Sequence, residues 1–231
     1  MKNLKLSFAV IAAVSVTSAF ATGDPNIKKF RTEGDAACFV DCRSEVFTAV
    51  GRIGDRAAQC NTPGSTWELG LGLHVGTPLV KRDYSWNKCA PSNFSVKYTA
   101  STKKVTFQVG GEVLNYTIQS DKKIDGLIIK GWAGNCASVK LDTLSLNNVN
   151  KAFTVQAANG GRDFLAIRGL DSSKNWEFAG KATICWSGNQ TPDSTGFSVK
   201  GCEAVPEPTS MAALGLGVAG LIKRRRAAKK A

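Results

Sequence analysis

The chain of 231 residues carries 30 basic and 18 acidic side chains, a formal charge of +12, one histidine and seven cysteines. Eight of the basic residues and one acidic residue fall within 1–21 and 206–231, which leaves +5 for residues 22–205. The basicity is thus mostly that of targeting segments: no nucleic-acid partner is expected, and the residual charge favours an acidic polysaccharide weakly and in a salt-dependent way. A lone imidazole, His74, excludes any mechanism that needs two.

Met1 to Ala21 reads as a secretory signal helix. Lys2 and Lys5 precede the apolar stretch Leu6 to Val16, and the small residues Ala19 and Ala21 fit a cleavage pocket. Cleavage is expected after Ala21, leaving Thr22 as the first residue of the exported chain. Residues 22–205 then supply one domain with a sizeable core.

The region 30–66 is ambiguous. Ala36 to Val50 fits one helix or two β-segments stapled by Cys38 and Cys42. Thr66 to Val75 reads as a strand that tolerates glycine at 70 and 72. From Asn93 the pattern is period two: Phe94, Val96 and Tyr98, then Val105, Phe107 and Val109, with Ala100 to Lys103 between them. This predicts a hairpin. Gly110-Gly111 turns the chain into a further strand with Leu114, Tyr116 and Ile118 inward. Strands are expected at Leu127 to Trp132, Val139 to Leu146, Phe164 to Arg168, Trp176 to Ala179, Ala182 to Trp186 and Gly196 to Lys200. In Val139 to Leu146 the phase shifts near Thr143. No ten-residue helical period interleaves these strands. The expected class is all-β, an antiparallel sandwich or jelly roll flanked by the signal helix and a short C-terminal transmembrane helix.

The cysteines at 38, 42, 60, 89, 136, 185 and 202 all lie in the exported portion, where disulfides are favoured over a reduced metal site. One or two bridges are expected among 38, 42, 60 and 89, and another between Cys185 and either Cys136 or Cys202. The odd number leaves one thiol over. Cys38 and Cys42 share a helical spacing, but no histidine accompanies them, so no metal is expected. His74 has no nearby nucleophile. Ser101-Lys104 and Ser120-Lys123 both satisfy the SxxK acylase pattern in polar turns, without a buried lysine or an oxyanion hole. Neither a catalytic residue nor a cofactor-binding residue is therefore assigned. Of the five tryptophans, Trp132 and Trp176 stand beside Gly or Asn at strand ends. They are the best candidates for stacking on a sugar ring, although core filling is the favoured expectation for the tryptophans.

Pro206-Glu207-Pro208 precedes a twelve-residue apolar run, Met211 to Ile222, and then Lys223-Arg224-Arg225-Arg226. The basic block acts as a stop-transfer signal that stays cytoplasmic. At about 1.5 Å per residue the run covers roughly 18 Å, against a hydrocarbon core of about 30 Å. It suits transient recognition better than permanent anchorage. Gly215, Gly217 and Gly220 spell GxGxxG, but inside a lipid-seeking run the spacing permits close approach of another helix, not of a nucleotide.

These three elements, in this order, resemble the PEP-CTERM sorting signal of Gram-negative, exopolysaccharide-associated proteins. The resemblance implies that an exosortase-like enzyme in the inner membrane processes residues 206–231, and that the body passes through that membrane to the cell surface or beyond. A second resemblance is to the choice-of-anchor domains of bacterial surface proteins. It rests on Trp67 to Gly70, Trp86-Asn87, the Phe94–Val109 hairpin, Val139 to Asn147 and Phe164 to Leu170, and it implies no catalytic residues. Together they lead to the expectation of a non-enzymatic matrix or adhesive protein. The alternatives are an exopolysaccharide-binding module using Trp132 or Trp176, and a secreted hydrolase.

Overall fold

In the computed structural model, which describes residues 25–54, 67–74, 77–119, 121–188 and 193–204, the chain opens with β1, Asn26–Phe30. Lys28 and Lys29 mark it as a sheet edge, where charge discourages pairing with another chain. Helix α1, Glu33–Phe39, follows. Thr32 caps it by accepting the Asp35 N–H at 3.2 Å, with Glu33 and Asp35 placed against the positive end of the dipole. The helix stops after two turns because Asp41 turns left-handed, at φ +51°, and redirects the chain into β2, Cys42–Arg52. The segment Ala36 to Val50 is therefore neither one helix nor two strands. It is the end of a helix followed by a strand.

The remaining strands are β3 (Leu69–Gly72), β4 (Val80–Arg82), β5 (Pro91–Thr99), β6 (Lys104–Val109), β7 (Glu112–Thr117), β8 (Gly126–Trp132), β9 (Ala137–Leu146), β10 (Val149–Asn150), β11 (Val155–Ala158), β12 (Arg162–Arg168), β13 (Trp176–Trp186) and β14 (Gly196–Ala204). They form two sheets, ordered β1-β12-β8-β14-β2-β3-β4 and β10-β9-β13-β5-β6-β7, with β11 also on β9. All of the pairings are antiparallel. The expected hairpin is β5–β6, with Phe94 opposite Val109 and Tyr98 opposite Val105.

The two strands expected at Trp176 to Ala179 and Ala182 to Trp186 merge into β13. Gly180-Lys181 resembled a turn, yet Trp176 to Trp186 is one strand with a register shift between Ala179 and Lys181. The partner β9 inserts an extra residue there, with Thr143 at φ +49°, which is the physical origin of its phase shift. Glycine is required at 180: a Cβ would lie 2.7 Å from the Leu144 side chain and 2.9 Å from the Asp142 carbonyl.

The main core lies between the sheets. Phe197 of β14 is fully buried, and its ring centroid lies 5.0 Å from Phe94 and 6.2 Å from Trp86. A second, smaller core covers the outer face of the first sheet. There Ala36 and Val40 of the α1 region pack on Ile128, Phe164, Ala166 and Cys202. Strands β8 and β14 are consequently buried on both faces, which is why their sequences read as nearly continuous apolar or small runs. The predicted signal helix (1–21), the predicted C-terminal helix and Cys60 lie outside the described residues. No helix among the described residues is long and apolar enough to cross a membrane. Phe197→Ala is expected to cost about 3–5 kcal/mol in a urea unfolding titration. A loss below about 1 kcal/mol, the level of an ordinary surface change, would show that the sheets do not close on this ring.

Candidate functional site

The place where β14 leaves the body is held by more specific interactions than its length requires. β14 lies between β2 and β8, and its last residues pair with Glu45, Ser44 and Cys42. Cys42 and Cys202 form a disulfide with their Cα atoms 5.1 Å apart, closing 160 residues of sequence. Glu203 Oε2 accepts hydrogen bonds from Ser44 Oγ and Lys122 Nζ, each at 3.0 Å. The Asp125 N–H donates to the Cys202 carbonyl at 2.9 Å, and Asp125 Oδ2 accepts the Ala204 N–H at 3.0 Å. Cys202, Glu203 and Ala204 each have their own tether.

The electrostatics at this end follow from burial and partners. Burial raises the Asp125 carboxyl above its ordinary range, with the Ala204 amide opposing. Burial also works against the charge on Glu203, but the hydrogen bonds from Lys122 and Ser44 outweigh it and hold that carboxyl low. A second network clamps α1 over the sheet. Glu33 accepts Lys200 at 2.8 Å and Lys130 at 3.2 Å, and Lys200 reaches Glu45 at 2.5 Å. The half-buried Lys200 is pushed up and Glu33 is held down, because in both cases the opposite charge overcomes the cost of burial.

At the far end of the same strands Arg52 lies under Trp67, its guanidinium carbon 3.3 Å from the ring centroid. It pairs with Asp193, and its Nε donates to the Trp67 carbonyl at 3.1 Å. Burial lowers it to about 10, with Glu68 opposing, so it is charged at neutral pH. Trp132 sits at this end, partly exposed, with its indole N–H on the Asp193 carbonyl at 2.9 Å and Lys130 Nζ 5.8 Å from its ring.

The other residues singled out from the sequence divide clearly. Trp176 is 4% exposed and packs on Tyr98 and Phe47, so it is a core residue and not a sugar platform. The neighbouring Asn175 is bound into the turn, its side-chain oxygen accepting the Ala100 N–H at 2.8 Å, so an Asn at this strand end does not mark an exposed indole. The bridges are Cys42–Cys202 and Cys89–Cys185, so the expected pairings within 38, 42, 60 and 89 and of Cys185 with 136 or 202 do not form among the described cysteines. Strand neighbours far apart in sequence decide this, and local spacing carries no sign of it. Cys38 and Cys136 are free and exposed. His74 is exposed, with Nδ1 3.3 Å from Glu45 Oε2, and it lies just past β3. Lys103, within the first SxxK tetrapeptide but not its motif lysine, donates to the Lys122 carbonyl at 3.2 Å. Ala19, Ala21, Thr22, Pro206, Glu207, Pro208 and the Lys223 to Arg226 block lie outside the described residues. Asp125, Lys122 and Ser44 were missed, since scattered polar residues give no sequence signal of convergence.

Residues 204–227 match the PEP-CTERM protein-sorting motif. The match begins on Ala204, the last residue of β14. This motif is a sorting signal recognised by an exosortase, and it implies export through the membrane to the cell surface. No curated protein matches the chain.

Replacing both Cys42 and Cys202 by Ser is expected to lower stability by about 2–5 kcal/mol in denaturant titrations under oxidising conditions. An unchanged midpoint would show that the bridge contributes nothing. Glu33 and Glu203 are held below their ordinary 4.5, so their contributions are complete above that value and are lost as pH falls through the lowered ones. Asp125 has the opposite sign: it favours the protonated form, and that advantage is lost as pH rises through its raised value. In Glu33→Gln, stability plotted against pH should fall less steeply on the acid side than in the parent. An unaltered acid limb would remove Glu33 from the account.

Proposed function

We propose that this chain is a non-enzymatic, exported protein of a Gram-negative cell envelope, sorted by an exosortase and serving a structural or adhesive role in an exopolysaccharide matrix. The observation that carries this reading is the junction at Ala204. A disulfide-tethered two-sheet body ends on the residue where the sorting motif begins. Two disulfides also fit an oxidising compartment. The chain passes the inner membrane, its tail is processed there, and the body remains at the surface or is shed into the medium.

A second reading, recognition of exopolysaccharide, is supported by one position. Trp132 lies six residues along β8 from Gly126, the residue opposite Cys202. At about 3.3 Å per residue that places it roughly 20 Å from the exit of the tail, on the end turned away from the membrane. There an indole face can meet polymer. Secreted hydrolysis is the weaker alternative, and turnover of esterase or glycosidase substrates by the purified protein would revive it.

Intact-mass measurement of protein recovered from membranes and medium tests the main reading. Host cells should yield a chain without residues 1–21 and without the C-terminal tail, and deletion of the exosortase should leave the tail attached in the membrane fraction. Cytosolic protein that retains both Met1 and Ala231 would contradict export. For the second reading, Trp132→Ala should abolish retention on the host polymer while the circular-dichroism spectrum and cooperative unfolding of the body are kept. Equal retention would remove it.

A further inference from the structure

The second sheet carries a groove on its outer face, opposite to the main core. Two rows of side chains cross it. In the first, Gln108, Ser95, Ala179 and Ser145 stand side by side across β6, β5, β13 and β9. In the second, Lys181 lies between Asn93 and Asp142. The strands alternate, so these residues face outward while Phe94, Phe107 and Phe178 fill the core. The centre is low because Ala179 and Gly180 offer only a methyl group and a hydrogen, whereas Gln108, Asn93, Thr143 and Lys181 stand around them. The result is a cavity of about 360 Å³. Small-molecule sites occupy about 300–1,000 Å³.

The groove sits on the bulge between β9 and β13. Thr143 takes φ +49° there, a conformation that β-branched residues avoid. Bulges and strained residues of this kind concentrate at functional sites, where they re-aim side chains. All four strands are paired on both sides, so the face offers no free backbone edge to an incoming peptide strand. What it offers is hydroxyls and amides. Gln108 Nε2 donates to the Gly110 carbonyl at 3.1 Å, which leaves Oε1 to accept. Thr143 Oγ donates to the Asp142 carbonyl at 2.8 Å. The side chains of Asn93, Ser95 and Ser145 make no hydrogen bond among the described residues. Of the described residues that line the groove none is acidic, and Lys181 is the one cation. The nearest carboxylates have lysines of their own: Asp142 is held by Lys140 at 2.8 Å, and Glu177 stands opposite Lys97. Lys181 makes no ion pair among the described residues.

We propose that this groove binds an acidic saccharide unit, with its carboxylate on Lys181 Nζ and its hydroxyls on Ser95, Gln108 and Ser145. Side chains that both donate and accept, spread along a row, match the neighbouring hydroxyls of a sugar. One cation without a partner matches one carboxylate per unit, whereas a nucleic acid or polyphosphate calls for several. The site extends the polysaccharide reading to the sheet opposite Trp132, and it stands independently of how the tail is sorted.

Protein recovered from its host provides the test, titrated calorimetrically at low salt with oligogalacturonate and oligomannuronate, and with each after reduction of its carboxyls to alcohols. At least one acidic oligomer should bind, and its reduced form should bind about threefold or more weakly, the worth of one exposed ion pair. Lys181→Gln and Ser95→Asp should each raise the Kd about threefold or more. Lys104→Gln removes the same charge from the other end of β6, and it should leave the Kd within about twofold, as should Trp132→Ala. Both Lys181 and Lys104 are exposed, so neither change disturbs the core. Binding of neither oligomer, or an unchanged Kd in Lys181→Gln, overturns the proposal. Equal weakening by Lys104→Gln overturns it in favour of diffuse charge, and equal binding of the reduced oligomer overturns the acidic class. Loss in Trp132→Ala with the groove variants unaffected assigns the saccharide to the other sheet and removes the groove.

Discussion

Strand β14 is the constraint on which the rest depends. It is hydrogen-bonded on both sides, to β2 and β8, and covered on both faces. Phe197 and Val199 point into the main core, while Cys202 belongs to the smaller core under α1. Removing such a strand opens both cores at once. Its C-terminal residue is also the attachment point of a segment that has to be handled by another protein. Ending the body on a central strand is hazardous unless that strand resists peeling. The bridge to Cys42 and the side chains of Glu203 and Asp125 supply that resistance locally. A cross-link two residues before the end confines any fraying to Glu203 and Ala204.

The all-β class and most of the strands were legible because one face of each alternates. β5 and β6 show it most plainly, and even the bulge in β9 announced itself as a lost phase at Thr143. The failures have particular causes. α1 is too short for a helical period to develop, and its stop depends on a left-handed Asp41 that composition does not reveal. β1 is a lysine-bearing edge, so its pattern is that of a loop. The disulfides link residues 160 and 96 apart, set by sheet order and not by local spacing. The tail could be read from sequence for the opposite reason. Its physics is that of a linear segment: rigid prolines, an apolar run and a cationic stop, none of which needs a partner in the fold. The groups that tether the last strand could not be read, because they converge from β2 and the loop before β8.

The ends of the strands divide the work. One end carries the Cys42–Cys202 disulfide and the Asp125 tether. The other carries Arg52, Asp193 and Trp132. The sorting motif starts from the first end, on Ala204. The Lys200–Glu33–Glu45 network between them holds α1 over the sheet and shields the backs of β8 and β14. The groups that secure the end of β14 all belong to the body, independent of the tail that follows.

That independence is measurable directly. Native-state hydrogen exchange at Val199, Cys202 and Ala204 compares the unprocessed chain with protein from which the host has removed the tail. A body complete at Ala204 predicts equal protection in the two, with the slowest exchange at Val199. Loss of protection along β14 once the tail is gone would contradict the account, since the strand would then depend on the segment it is supposed to release.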